Sequence, residues 1–139
     1  MLILLVILSL LPFAFGWIAN WLIMSHSGTT PPFMLIGIVF LLIWTAVAFF
    51  AKPHIKSTAK IVISMNAVAF LVLVLNGIQQ LLLQGYWMNF VGKGTQLFYL
   101  PLAYIGALLT SWCPSTFSAA CASFVLMVLV SFIGSKIRK

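Results

Sequence analysis

Few side chains in this sequence can do acid–base, nucleophilic or metal chemistry. No Asp or Glu occurs in its 139 residues. Without them the chain cannot build an Asp/Glu general acid–base pair, a carboxylate cation cage or a carboxylate proton relay. Ser–His–Asp hydrolysis in its usual form is excluded for the same reason. What remains is His26, His54, Cys113, Cys121 and the hydroxyls. His26 stands between Ser25 and Ser27, where a Ser–His pairing competes with the plainer reading of a solvated loop histidine. His54 lies among lysines, in a loop position that also suits contact with lipid phosphate. The two histidines fall at opposite ends of the expected spans, so they share neither a metal site nor a pair of axial haem positions. Cys113 and Cys121 have no zinc-type or CxxC spacing and read as small apolar packing residues. A disulfide between them requires the chain to turn back on itself. Gly92-Lys93-Gly94 lacks the rest of a phosphate-binding loop and reads as a turn with a surface cation. No cofactor, metal or catalytic set is implied.

Amides are the more informative polar group. Asn66, Ala69, Leu73, Asn76, Gln80 and Leu83 follow a three-then-four spacing, which is one face of a helix, with Gln79 and Gln84 beside its far end. Polar groups in lipid are costly unless paired, so such a stripe marks a contact or a function. It serves either as the lining of a polar cavity for a neutral or anionic solute, or as interhelical hydrogen bonding. Other helices carry small-residue faces where a neighbouring backbone can approach closely. These are Ser9, Pro12, Gly16 and Asn20; then Gly37, Trp44, Thr45 and Ala48; then Ala120, Ser123, Met127, Ser131 and Gly134. Pro12 also removes an intrahelical hydrogen bond and predicts a kink.

The elements that carry these faces follow from composition. Hydrophobic residues make up 64% of the chain and charged residues 5%, with a mean hydropathy of +1.24. A soluble domain keeps about a quarter of its residues charged, so this chain could not cover a water-facing surface. Unbroken apolar runs of roughly twenty residues point to spanning helices rather than to the alternating segments of a barrel. The expected class is an all-α integral membrane protein forming one four-helix bundle. Its spans are about 2–24, 33–51, 61–84 and 117–134. The first run lacks a basic flank and exceeds the length of a signal-peptide core, so it reads as a span. The segment 97–112 is short and holds Pro101 and Gly106. It is expected to re-enter the membrane or lie in its interface, where Tyr86, Trp87, Phe90, Phe98, Tyr99 and Tyr104 suit head-group depth.

Charge orients the bundle. Lys52, Lys56 and Lys60 share one loop, and Lys136, Arg138 and Lys139 form the tail. The positive-inside rule puts both clusters in the cytoplasm. That holds with four spans and fails if 97–112 crosses. Both termini are therefore expected inside, in a multi-pass cell-membrane protein. The lysine loop suits anionic head groups, particularly if the third helix starts at Pro53 and aligns Lys56 with Lys60. The net charge of +7 does not indicate nucleic acid, because the cations sit at the ends of apolar runs. Partners are expected to be the bilayer and another membrane protein or a second copy. The functional expectation is a non-enzymatic subunit or partner-binding module. The alternatives are an oligomeric transporter or channel subunit lined by the amides, and a membrane enzyme acting on lipid or thiols.

Overall fold

Residues 1–26, 28 and 30–137 are described in the computed structural model of the chain. Ser27, beside His26, and Arg138 and Lys139 of the basic tail lie outside the described residues. All regular structure among the described residues is helical, and four helices are long and apolar enough to cross a membrane. We number them α1 (Leu2–Ser25), α2 (Phe33–Ala51), α3 (Thr58–Leu82) and α6 (Thr116–Ile137). Between α3 and α6 lie two short helices, α4 (Phe90–Phe98) and α5 (Ala103–Leu109), joined by a 3₁₀ turn at Leu100–Leu102. At 1.5 Å per residue, α2 is about 28 Å long and α6 about 33 Å, close to the ~30 Å of a bilayer core.

The long helices alternate in direction. Gly134 near the end of α6 sits against Thr45 and Ala48 near the end of α2, and Ser131 pairs with Asn66 in the first half of α3. One end of the bundle therefore carries Met1, Ala51, Thr58 and Ile137. We call it the lysine end, and the opposite one the hairpin end. Helix α6 packs against α2, α3 and α5, while α2 and α3 touch each other little. Its buried face is Ala120, Ser123, Met127, Ser131, Gly134 and Ser135.

Helix α1 breaks at Ser9–Leu10, ahead of Pro12. Proline has no N–H and crowds the preceding turn. The chain answers with tighter bonds, Leu10 N to Ile7 O at 3.1 Å and Phe13 N to Leu10 O at 3.0 Å. The break divides the work of the helix. Leu2–Leu8 packs on α3, while Leu11–Ser25 packs on α4 and the 3₁₀ turn. Ser9, Pro12 and Gly16 are buried and Asn20 is half-buried. Gly16 is where α1 and the end of α4 meet. A methyl group there would stand 1.9 Å from the Leu97 carbonyl oxygen, so only glycine permits the contact.

The segment from Phe90 to Leu109 enters the bundle and returns to the end it came from. Trp87, just before it, and Thr116, just after it, are both bonded to the last turns of α3. At its deepest the carbonyl of Leu102 lies 3.3 Å from the Ser123 hydroxyl, and Tyr99 donates to the Ala69 carbonyl at 2.6 Å. Ser123 is seven residues into α6, about 10 Å from its start. Pro101 at the tip is buried and cannot extend a helix, so the 3₁₀ turn reverses the chain there. Phe98 and Tyr99 are 1% and 5% exposed. They fill the bundle core instead of lying in an interfacial belt, because they are at the tip of the inserted hairpin. Trp87, Phe90 and Tyr104 are on the exterior.

Candidate functional site

The far end of α3 builds the site. Its last turn widens into a π-helix over Ile78–Leu82. The five-residue bond of that geometry is visible in Leu83 N to Ile78 O at 3.2 Å. Wider winding lets two neighbouring amides serve the same loop region. Gln79, 0% exposed, donates to Thr95 Oγ1 at 3.0 Å and accepts from Trp87 N at 3.0 Å. Gln80 donates to the Tyr86 hydroxyl and accepts from the Thr116 hydroxyl. These two residues hold both roots of the α4–α5 hairpin. Asn76 donates to the Thr95 carbonyl at 3.2 Å. Asn66 lies apart, toward the lysine end, donating to Ser131 Oγ at 3.0 Å and Val62 O at 2.9 Å. The structure does not bring Gln84 to this group. It is exposed and ends the helix in the left-handed region, at φ 51°.

Local capping fixes the rest of the wall. Asn89 accepts from Gly92 N at 2.9 Å and starts α4. Ser115 and Ser118 cap α6 reciprocally, Ser118 N donating to Ser115 Oγ at 3.0 Å and Ser115 N to Ser118 Oγ at 3.3 Å. Helix α5 lies close on α6. A methyl at Gly106 would stand 2.4 Å from the Ala119 carbonyl oxygen.

Between these parts lies a cleft of about 520 Å³ at the hairpin end, within the range of ligand sites. One wall is Asn76 of α3, a second runs from Thr95 to Ala107 along the hairpin, and a third is Pro114–Ala120. No charged side chain lines it. Asn76 is 3% exposed, and its Oδ1 has no hydrogen-bond partner. A buried acceptor left open costs about 1–3 kcal/mol, so it stands out in a site where other amides are paired.

The chain matches no family model, no curated protein and no solved structure. The site must be read from its own chemistry.

The remaining candidate residues fall elsewhere. Cys113 is exposed and Cys121 half-buried, both as free thiols. His26 packs edge-on to Trp21 at the hairpin end, and His54 follows α2 at the lysine end. Among the described residues no cluster of His and Cys has metal-holding geometry. Helix α3 begins at Thr58, capped by Ser57, so Lys56 precedes it and shares no helical face with Lys60. Lys52 folds back on its own loop, donating to Lys56 O at 2.9 Å and Thr58 Oγ1 at 3.0 Å. Lys56 and Lys60 are exposed. Sequence reasoning missed Thr95, Tyr86 and Thr116, which complete the amide network. Only the Asn89–Gly92 capping spacing signalled that a helix starts ahead of Thr95.

Proposed function

We propose that this chain is a multi-pass membrane protein that acts without catalysis, as a binding module of a membrane complex. Its lysine end faces the cytoplasm and its hairpin end faces out. The reading is supported by the cleft beside the returning hairpin, with Asn76, whose buried Oδ1 has no partner, among its lining residues. A segment that leaves and re-enters at one end is tolerated at membrane depth only where protein buries it or water reaches it. Here protein surrounds its tip. The orientation rests on Lys52, Lys56 and Lys60 at one end, against Lys93 at the other.

The transporter reading draws support from the same hairpin, since broken helices line many solute routes. It needs free amides along α3. Asn66, Gln79 and Gln80 are instead engaged in holding α6 and the hairpin. That favours a docking or binding role over a conducting one.

Single cysteines at Ala107, in the cleft, and at Lys139 test orientation and access together in a Cys113→Ser, Cys121→Ser background. An impermeant maleimide applied to intact cells should label the first and spare the second. Labelling of the second alone would invert the topology and move the cleft to the cytoplasm. A photocrosslinker at Gln96 should then capture a defined partner or lipid. Capture of nothing in native membranes would refute the binding role.

A further inference from the structure

The hydrogens and lone pairs around the cleft define what fits it, and this step rests on the binding reading above. Four of the lining hydroxyls have already committed their protons. Thr95 donates to Gly92 O at 2.8 Å, Thr110 to Gly106 O at 2.9 Å, and Tyr99 to Ala69 O at 2.6 Å. Thr116 donates to Gln80 Oε1. A hydroxyl carries one proton and two lone pairs, so these groups can now only accept. Asn76 Oδ1 accepts nothing from the protein. Tyr86 and Ser115, whose hydroxyls only accept in the network, and the exposed Gln96 amide also line the cleft and can donate. The cleft therefore offers donors and acceptors without a charge, and a ligand must bring both.

Three classes of donor are separable. An ammonium group would need a carboxylate to offset its desolvation, and the chain has none. An anion would meet no cation among the lining residues to offset its desolvation. A neutral hydroxyl group both donates and accepts, and meets neither problem. The rest of the lining is apolar, from Leu100, Ala103, Ala107, Pro114, Ala119 and Ala120. A volume near 520 Å³ equals about 17 waters at roughly 30 Å³ each, enough for a small polyol head and its first methylenes but not for whole acyl chains.

We propose that this cleft holds the polyol head of an uncharged lipid, an acylglycerol or a glycosyl diacylglycerol, with a head hydroxyl donating to Asn76 Oδ1. The acyl chains extend into the bilayer past Ala107, which is exposed on α5 and lines the cleft. Free glycerol or a free sugar shares the head chemistry, and competition separates the two sources.

The test uses the whole protein in nanodiscs and a monoacylglycerol carrying a diazirine near its head. Crosslinks are expected on residues 95–120, with unlabelled glucosyl diacylglycerol competing and phosphatidylglycerol not. Ala107→Phe fills the cleft without touching the amide network and should cut labelling about tenfold or more, equivalent to about 1.4 kcal/mol of lost affinity. Competition by free glycerol as strong as by the lipid would keep the polyol chemistry and make the source a solute. Equal competition by phosphatidylglycerol, or undiminished labelling of Ala107→Phe with its hairpin still protected from hydrogen exchange, overturns the proposal. If nothing crosslinks, Ala107→Cys decides which claim fails. A reactive thiol leaves the cleft and sinks the ligand class, whereas an unreactive one sinks the cleft itself.

Discussion

Replacing Gln79 by Leu should release the hairpin while leaving the four long helices assembled. Leucine has similar volume, is apolar and suits a helix, so packing changes little. What is lost is the bond to Thr95 Oγ1 and the bond from Trp87 N, each 3.0 Å, from a residue with no exposed surface. Side-chain hydrogen bonds between membrane helices average about 0.6 kcal/mol and reach about 1.7. Two of them give about 1–3 kcal/mol, or about 5- to 150-fold in the docked-to-released ratio. Hydrogen exchange in nanodiscs should show that loss of protection across 90–102, with 124–137 of α6 unchanged. Gln84→Leu, at an exposed position outside the network, serves as control and should change nothing. Unchanged protection over 90–102 would refute the claim that Gln79 roots the hairpin. Uniform loss across all four long helices would refute it too, because Gln79 would then hold the fold as a whole.

Gly16→Ala should destabilise by about 1–3 kcal/mol in a detergent unfolding titration, the cost of overpacking where its methyl meets the Leu97 carbonyl oxygen at 1.9 Å. Gly94→Ala, with its nearest atom at 3.5 Å on Phe13, should be neutral or gain up to about 1 kcal/mol from better helix propensity. Gln84→Gly should raise the unfolding midpoint by the equivalent of about 0.5–1 kcal/mol, since φ 51° favours glycine. A lower midpoint would show that the end of α3 is held by more than its backbone. Thr95→Val, which keeps shape and removes the hydroxyl, should lower hairpin protection less than Gln79→Leu does, because Trp87 N keeps its acceptor.

The four long helices and their packing faces were legible because so apolar a sequence leaves few alternatives. Twenty apolar residues in a row read as a helix of bilayer length, and small residues spaced at three and four mark where backbones meet. Ser9, Pro12 and Gly16, and Ala120, Ser123, Met127, Ser131 and Gly134, are buried on that pattern. The amide stripe was legible only in part. A regular helix extends Asn66, Ala69 and Asn76 to Gln80, whereas the π-turn at Ile78–Leu82 makes Gln79 the buried member and leaves Gln80 half-buried. No local pattern announces that widening. The hairpin was legible as an oddity, through Pro101 and a short apolar run. Its true start at Phe90 was hidden, because Gly92, Lys93 and Gly94 look like a loop. They form a helix because Asn89 caps it and Gly92 packs against the Trp87 carbonyl.

Two asparagines of α3 have a buried Oδ1 without a partner, and they differ in what lies beside them. Asn66 sits where α3 meets α6, its amide nitrogen bonded across to Ser131, and Trp44 Nε1 is likewise unpartnered in the core. Those groups are enclosed by helices, so the fold carries their cost in every state. Asn76 is among the residues that line the cleft, so under the proposal above its cost ends when a donor arrives. The same mutation should therefore read differently at the two sites. Asn76→Leu should lose the bond to the Thr95 carbonyl and, with it, all dependence of stability on an added hydroxyl-headed lipid. Asn66→Leu should lower stability while leaving the lipid-induced shift intact, since ligand raises the unfolding free energy by RT ln(1 + [L]/Kd) whatever the starting value. An equal shift in Asn76→Leu and in the unaltered protein would place the ligand away from this acceptor.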